Sequence, residues 1–191
     1  MKQLAILRHA KSDWGNPGQT DFERPLNKRG RKAGKKVGRE LRTRGLTFDL
    51  IVSSPATRAR ETVERFEKGY ESLPPVSFEP QLYMCSTGTL IGVINALPDD
   101  AETVMLVGHN PGFHDIVLRM TRSNGNGLRE KVGANYPTGA FALIDFPVDR
   151  WADVEPSTGE IRQVIFPREL RPCSGVVSSN FVLGARLQVP N

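Results

Sequence analysis

Short apolar runs alternate along this chain with longer stretches whose apolar residues fall at helical spacing. Residues 4–7, 50–52 and 103–107 are nearly uninterrupted apolar runs, the pattern of strands buried on both faces. Residues 76–78 form a weaker strand signal, and 140–146 and 161–166 form two late ones. Between them lie helical signals. In 28–44, Ala33, Val37 and Leu41 recur every fourth position and Gly45 supplies a C-cap. Pro55 opens a helix reaching about residue 68, a third helix covers 89–97 before Pro98, and a fourth covers 111–120. Residues 123–127, Ser-Asn-Gly-Asn-Gly, read as a flexible loop. Strands alternating with helices predict an α/β fold: a mostly parallel central sheet covered on both faces, hence a three-layer α/β/α sandwich.

A chain of 191 residues fits one domain. We place it at 1–170. Residues 171–191 are a polar, serine-rich tail with one apolar stretch, Phe181-Val182-Leu183, and read as an extra strand or a loose end. No run approaches the roughly 20 apolar residues that span a bilayer, and the first apolar run is too short for a signal peptide and ends at Arg8. A cytoplasmic protein without membrane contact is expected. The two cysteines, Cys85 and Cys173, form no C-x-x-C pair and are expected to be reduced and structural. A cysteine-based phosphatase needs an arginine soon after its nucleophile. None stands between Cys85 and Ile91, and none follows Cys173 until Arg186, so that chemistry is set aside.

The net charge is +5, and residues 28–44 hold nine basic residues against one acid, Glu40. This is either a solvated helix face or an electrostatic guide for a phosphorylated partner. No aromatic residue interleaves with these charges, so no nucleic-acid partner is expected.

In open α/β sheets, ligands collect at the carboxyl ends of the strands. The first strand ends in Arg8-His9. The second runs into Ser53-Ser54-Pro55-Ala56-Thr57-Arg58, and the strand at 103–107 into Gly108-His109-Asn110-Pro111-Gly112. Alone, each residue has an ordinary reading: Arg58 as a surface helix residue, His109 as a turn residue satisfying backbone groups. Together, on neighbouring strands, they bring two imidazoles and two guanidinium groups to one pocket. Arginine presents a planar fork of donors matched to phosphoryl oxygens. A neutral imidazole at His9 can attack phosphorus in line, and His109 can donate to the charged oxygens. His109 and His114 are five apart beside Asp115, which is not the one-face spacing of helical zinc ligands. His114 is expected to be a helix-surface or packing residue, and no metal and no cofactor are expected. A Walker-type loop is absent from the sequence, which argues against an NTPase.

Arg8-His9-Ala10 after an apolar strand resembles the signature of the histidine phosphatase superfamily, the phosphoglycerate mutase-like proteins. The stretch from Asp21 through Arg24-Pro25-Leu26 to Gly30 is similar to the SixA-like phosphohistidine phosphatase subgroup. So are 53–62, 106–112 and Pro137-Thr138-Gly139-Ala140. The resemblance covers roughly residues 1 to 170. It implies a phosphoglycerate mutase-like fold and His9 as nucleophile. Arg8, Arg58 and His109 would bind the phosphoryl group, with Arg24 adding charge and Ser12 and Asn110 as further pocket residues. Mutase-like members carry a catalytic glutamate after the second signature, but Glu79 stands in no such motif here. Asp21 is the preferred general acid. A phosphoramidate leaves readily once its nitrogen is protonated, so a weak acid would suit a phosphohistidine substrate.

The expected function is hydrolysis of a phosphorylated protein, phosphohistidine included, or of a small phosphorylated substrate, through a phosphohistidine on His9. The alternatives are a non-catalytic phosphate-binding module and a mutase of a small phosphorylated metabolite. Few insertions surround the motifs, which implies an open site.

Overall fold

The structure is a computed structural model that describes residues 1–170. Cys173 and the apolar stretch at 181–183 lie outside the described residues. The strands are β1 (Lys2–Arg8), β2 (Leu50–Ser53), β3 (Val76–Phe78), β4 (Thr103–Gly108), β5 (Phe141–Phe146) and β6 (Glu160–Ile165). The helices are α1 (Lys28–Thr43), α2 (Thr57–Tyr70), α3 (Thr87–Asn95), α4 (Gly112–Met120) and α5 (Leu128–Ala134). One sheet runs in the order β3-β2-β4-β1-β5-β6. β1, β2, β3 and β4 are mutually parallel, while β5 is antiparallel to both β1 and β6. The expected mostly parallel sheet is present, with β5 as the single reversed strand.

The apolar runs are continuous because both faces of each strand are covered. On β1, Leu4 and Ile6 point to a core shared with Leu90, Phe113, Ile116 and Val132, so α3, α4 and α5 cover that face. Ala5 and Leu7 point to a core shared with Val37, Leu41, Val63 and Phe66, so α1 and α2 cover the other. Each fully buried Leu, Ile or Phe contributes roughly 1.5–3 kcal/mol.

α1 begins where Asn27 accepts a hydrogen bond from the Gly30 amide. It ends in a Schellman arrangement: Gly45 N donates to Arg42 O, Leu46 N donates to Leu41 O, and Gly45 takes φ +69°. Its buried stripe is Gly30, Gly34, Val37, Gly38 and Leu41. Ala33, expected on that stripe, is only half-buried. The reason is the approach of α2: a Cβ on Gly38 would stand 2.1 Å from Phe66 O. The two backbones touch where the apolar pattern suggested side chains.

α5 was not expected. It has seven residues and buries only Val132 fully, too little periodicity to register. β5 starts beside the end of β1 because the Gly139 amide donates to Arg8 O and His9 O. This connection carries Thr138 to the sheet's carboxyl end.

Candidate active site

β2, β4 and β1 lie side by side and parallel, so their carboxyl ends share one edge of the sheet. The edge is laced together by backbone bonds: His9 N donates to Gly108 O and Ser54 N to Val107 O, each at 2.9 Å. The rings of His9 and His109 therefore stand 5.1 Å apart, tilted by 49°. Arg58 is the second residue of α2, directly after the β2 turn, and its Nε lies 3.4 Å from His9 Nε2. A cavity of about 310 Å³ opens here. All eight residues singled out from the sequence line it: Arg8, His9, Ser12, Asp21, Arg24, Arg58, His109 and Asn110.

Hydrogen bonds orient the reacting groups. His9 Nδ1 is 2.7 Å from Ala10 O. With the proton on Nδ1, the lone pair of Nε2 faces Arg58 and the cavity. His109 Nε2 is 2.8 Å from Ser54 Oγ. Arg8 donates through one terminal nitrogen to Tyr136 O, as does Asn110 Nδ2, at 2.8 and 3.0 Å. The Ala10 amide donates to Thr62 Oγ1, which in turn donates to Arg58 O. One hydroxyl thus ties the His9 turn to the helix that carries Arg58. Four buried side-chain atoms among the described residues have no partner, and three belong to pocket residues: Arg8 Nε, His109 Nδ1 and Asn110 Oδ1. Buried polar atoms normally find partners, and three of the four that do not belong to this one group of residues.

The loop before α1 closes one wall. Asp21 is its centre: Oδ1 accepts from Arg24 Nε and from a terminal Arg24 nitrogen, and Oδ2 accepts from Arg58 and from Tyr83 Oη. A second Arg58 nitrogen donates to Asp21 O. Arg24 also donates to Ser12 Oγ at 2.8 Å, and its guanidinium lies 3.5 Å from the centre of the Trp14 ring.

Both histidines are held neutral. Burial, followed by the neighbouring His109, Arg58 and Arg8, lowers His9 to about 3 against the pull of the Ala10 carbonyl. Burial and Arg58 lower His109 to about 3. Burial also lowers Arg8. At Asp21 burial works upward, but the bonds from Tyr83, Arg24 and Arg58 outweigh it and hold the carboxylate well below the usual range. Asp21 is therefore held as an anion and not as a ready proton donor.

Comparison with known proteins decides the family. The profile of the histidine phosphatase superfamily (branch 1) matches residues 4–109, more than half of the chain. This chain belongs to the histidine phosphatase superfamily. An uncharacterized protein of Mycobacterium tuberculosis is 31% identical over 164 residues, covering 85% of this chain and all of that protein. The structure of the SixA protein of Agrobacterium tumefaciens, assigned as a phosphohistidine phosphatase, superposes with TM-score 0.72 at 26% identity, covering 87% of this chain and 98% of that one. The SixA structure from Nakamurella multipartitia, with the same assignment, gives 0.75 at 26% identity, over 87% and 96%. These neighbours support the SixA-like subgroup and the phosphoglycerate mutase-like sandwich.

Within this histidine phosphatase, Lys11, Trp14, Met84 and Thr138 also line the cavity but were not singled out. Lys11 sits two residues after His9 and Thr138 within the late motif, so proximity to a signature was the available signal. Trp14 and Met84 are exposed by 77% and 53%; nothing in the sequence separates such a rim residue from an ordinary loop residue. Tyr83 and Thr62 were missed because their roles depend on Asp21 and Ala10, distant in sequence. His114 packs as expected, bonding Val132 O and stacking on Tyr136 at 6.0 Å.

Proposed function

We propose that the chain is a phosphatase that works through a phosphohistidine on His9. The observation that carries this reading is the convergence on one cavity of a neutral His9, its Nδ1 held by the Ala10 carbonyl and its Nε2 turned to Arg58, with Arg8, Arg58 and His109. The phosphoryl oxygens would take bonds from Arg8, Arg58 and His109. With Ser54 donating to His109 Nε2, the ring carries its proton on Nδ1, the atom that lacks a partner.

His9 Nε2 attacks phosphorus in line, the Nε2–P bond forms, and the bond from phosphorus to the leaving group breaks. The leaving group departs with the bonding pair and takes a proton. Water then attacks phosphorus, the Nε2–P bond breaks, and inorganic phosphate leaves with His9 neutral again. The arginines and His109 stabilise the charge spread over the equatorial oxygens in both steps, a contribution of about 3–4 kcal/mol per well-placed donor.

Asp21 is the group beside the leaving side that can supply the proton. It is an anion held by Arg58 and Arg24. A phosphoryl dianion drawing on Arg58 competes for that cation and adds its own negative charge, and both effects raise the proton affinity of the Asp21 carboxyl. An acid that must be generated in this way suits a leaving group that needs little help. That favours phosphohistidine on a protein, in keeping with the assigned activity of the SixA neighbours.

The test is hydrolysis of p-nitrophenyl phosphate with EDTA present, together with trapping of acid-labile phosphate on the protein. We expect turnover by the wild type and none above background for His9→Ala. Wild-type turnover by His9→Ala overturns the mechanism. A matched panel of phosphohistidine protein and phosphoserine peptide tests the substrate reading, with the former expected to give the higher kcat/KM.

A further inference from the structure

A second, smaller cavity of about 60 Å³ adjoins the catalytic pocket and shares two walls with it, Lys11 and Thr138. Its remaining charged wall is Arg29, from the first turn of α1, and Arg168, just after β6. Two close backbone approaches put these side chains there. A Cβ on Gly30 would stand 2.1 Å from Lys11 O, so the first turn of α1 lies directly on the Lys11 backbone and brings Arg29 to it. Gly139, at φ +77°, would place a Cβ 2.8 Å from Pro167 Cγ, which seats the segment containing Arg168 against Thr138.

Three cations, all on exposed residues, thus line one cavity with no described residue neutralising them. None of their side chains has a hydrogen-bond or ion-pair partner among the described residues. The first turn of α1 contains no acid. Glu169, the neighbouring carboxylate, is engaged by Lys131. Residues 171–191 contain no Asp or Glu. Like charges brought together without a counter-ion repel, and a cavity holding them is matched to an anion supplied from outside. The space suffices for a carboxylate or phosphate head, since a single water needs about 10–15 Å³.

The geometry points to a second anion subsite: the substrate carries, beside the phosphoryl group that is transferred, a carboxylate or second phosphate that Lys11, Arg29 and Arg168 receive. This rests on the phosphatase reading and narrows its substrate class. The anion can belong to an acidic residue next to the phosphorylated residue of a protein, or to the same small molecule.

Two matched pairs of substrates distinguish the sources: phosphopeptides with Glu or Gln flanking the phosphorylated residue, and phenyl phosphate with or without a ring carboxylate. Each is assayed with the wild type and with the double variant Arg29→Ala/Arg168→Ala. Neither arginine lines the catalytic pocket, so p-nitrophenyl phosphate serves as the internal reference for both proteins. One charge-assisted bond implies a preference of about tenfold in kcat/KM for the anionic member. That preference should shrink in high salt and fall below about twofold in the double variant. Preference in the peptide pair assigns the anion to a neighbouring residue; preference in the phenyl pair assigns it to the small molecule. If the wild type hydrolyses p-nitrophenyl phosphate but treats both pairs alike, or the preference survives in the double variant, the second subsite is overturned. If it hydrolyses none of these substrates, the phosphatase reading itself fails.

Discussion

Strand β1 carries a cation at each end, Lys2 buried and Arg8 half-buried, and the two are treated in opposite ways. At the amino end Lys2 is 1% exposed. Its ammonium donates to Asp99 O at 2.6 Å and to Ala101 O at 3.4 Å, and it lies 5.9 Å from the centre of the Trp151 ring. Trp151 closes the cluster, with its indole donating to Ala101 O and its amide to Asp99 Oδ1. At the carboxyl end Arg8 has one bond, to Tyr136 O, and a buried Nε with none. One end is satisfied by the protein's own carbonyls; at the other, a buried nitrogen has no protein partner. Burying a polar group without a partner costs stability, a cost that the proposed phosphoryl ligand would offset.

The largest expected effect separating the two ends is on stability at low pH. His9 and His109, lowered from the ordinary 6.5 to about 3 by burial and neighbouring cations, refuse protons that the unfolded chain accepts. Stability is therefore flat above pH 6.5 on their account and falls as pH drops from 6.5 towards 3. Urea titrations of the wild type and of a His9→Ala/His109→Ala variant should show this slope only in the former; equal slopes break the comparison.

Next in size is Arg8→Met, which should lower kcat/KM for p-nitrophenyl phosphate by about 10²–10³ while leaving the melting temperature close to the wild-type value. Asp21→Asn should lower turnover of alkyl phosphates by about 10², the lower bound for a general acid, and that of phosphohistidine far less. Full activity on alkyl phosphates would remove Asp21 from the acid role. Lys2→Met removes the ammonium's bonds to Asp99 O and Ala101 O, the latter keeping its bond from the Trp151 indole, and should destabilise the fold by about 1–3 kcal/mol, with kcat per folded molecule unchanged. A loss of kcat there would erase the distinction between the ends. The smallest effect belongs to Thr62→Val, which breaks the link from Ala10 N to Arg58 O. A cost of about 1 kcal/mol is expected, read as a lowered kcat with KM little changed.

Much of this was legible along the chain, and for a physical reason. The runs at 4–7, 50–52 and 103–107 read as strands because a strand covered on both faces must be apolar at every position. Arg8, His9, Arg58 and His109 read as one group because each follows such a run, and parallel neighbours share a carboxyl end. The reversal of β5 was not legible, since an apolar strand reads the same in either direction. α5 escaped because seven residues with one buried side chain carry almost no period. Ala33 was misplaced because the interface it was meant to serve is made by glycines, which leave no apolar mark.

What the linear order of residues determined, then, is the set of strand-like runs, their helical connections and the polar groups at their ends, because local periodicity and the chemistry of side chains are properties of short segments. Tertiary structure alone decided which polar atoms are satisfied. Lys2 is closed off by Asp99, Ala101 and Trp151, Asp21 is pinned between Arg24 and Arg58, and Arg29 and Arg168 line one cavity, since each of these depends on groups brought close only by the packing of the sheet and its helices.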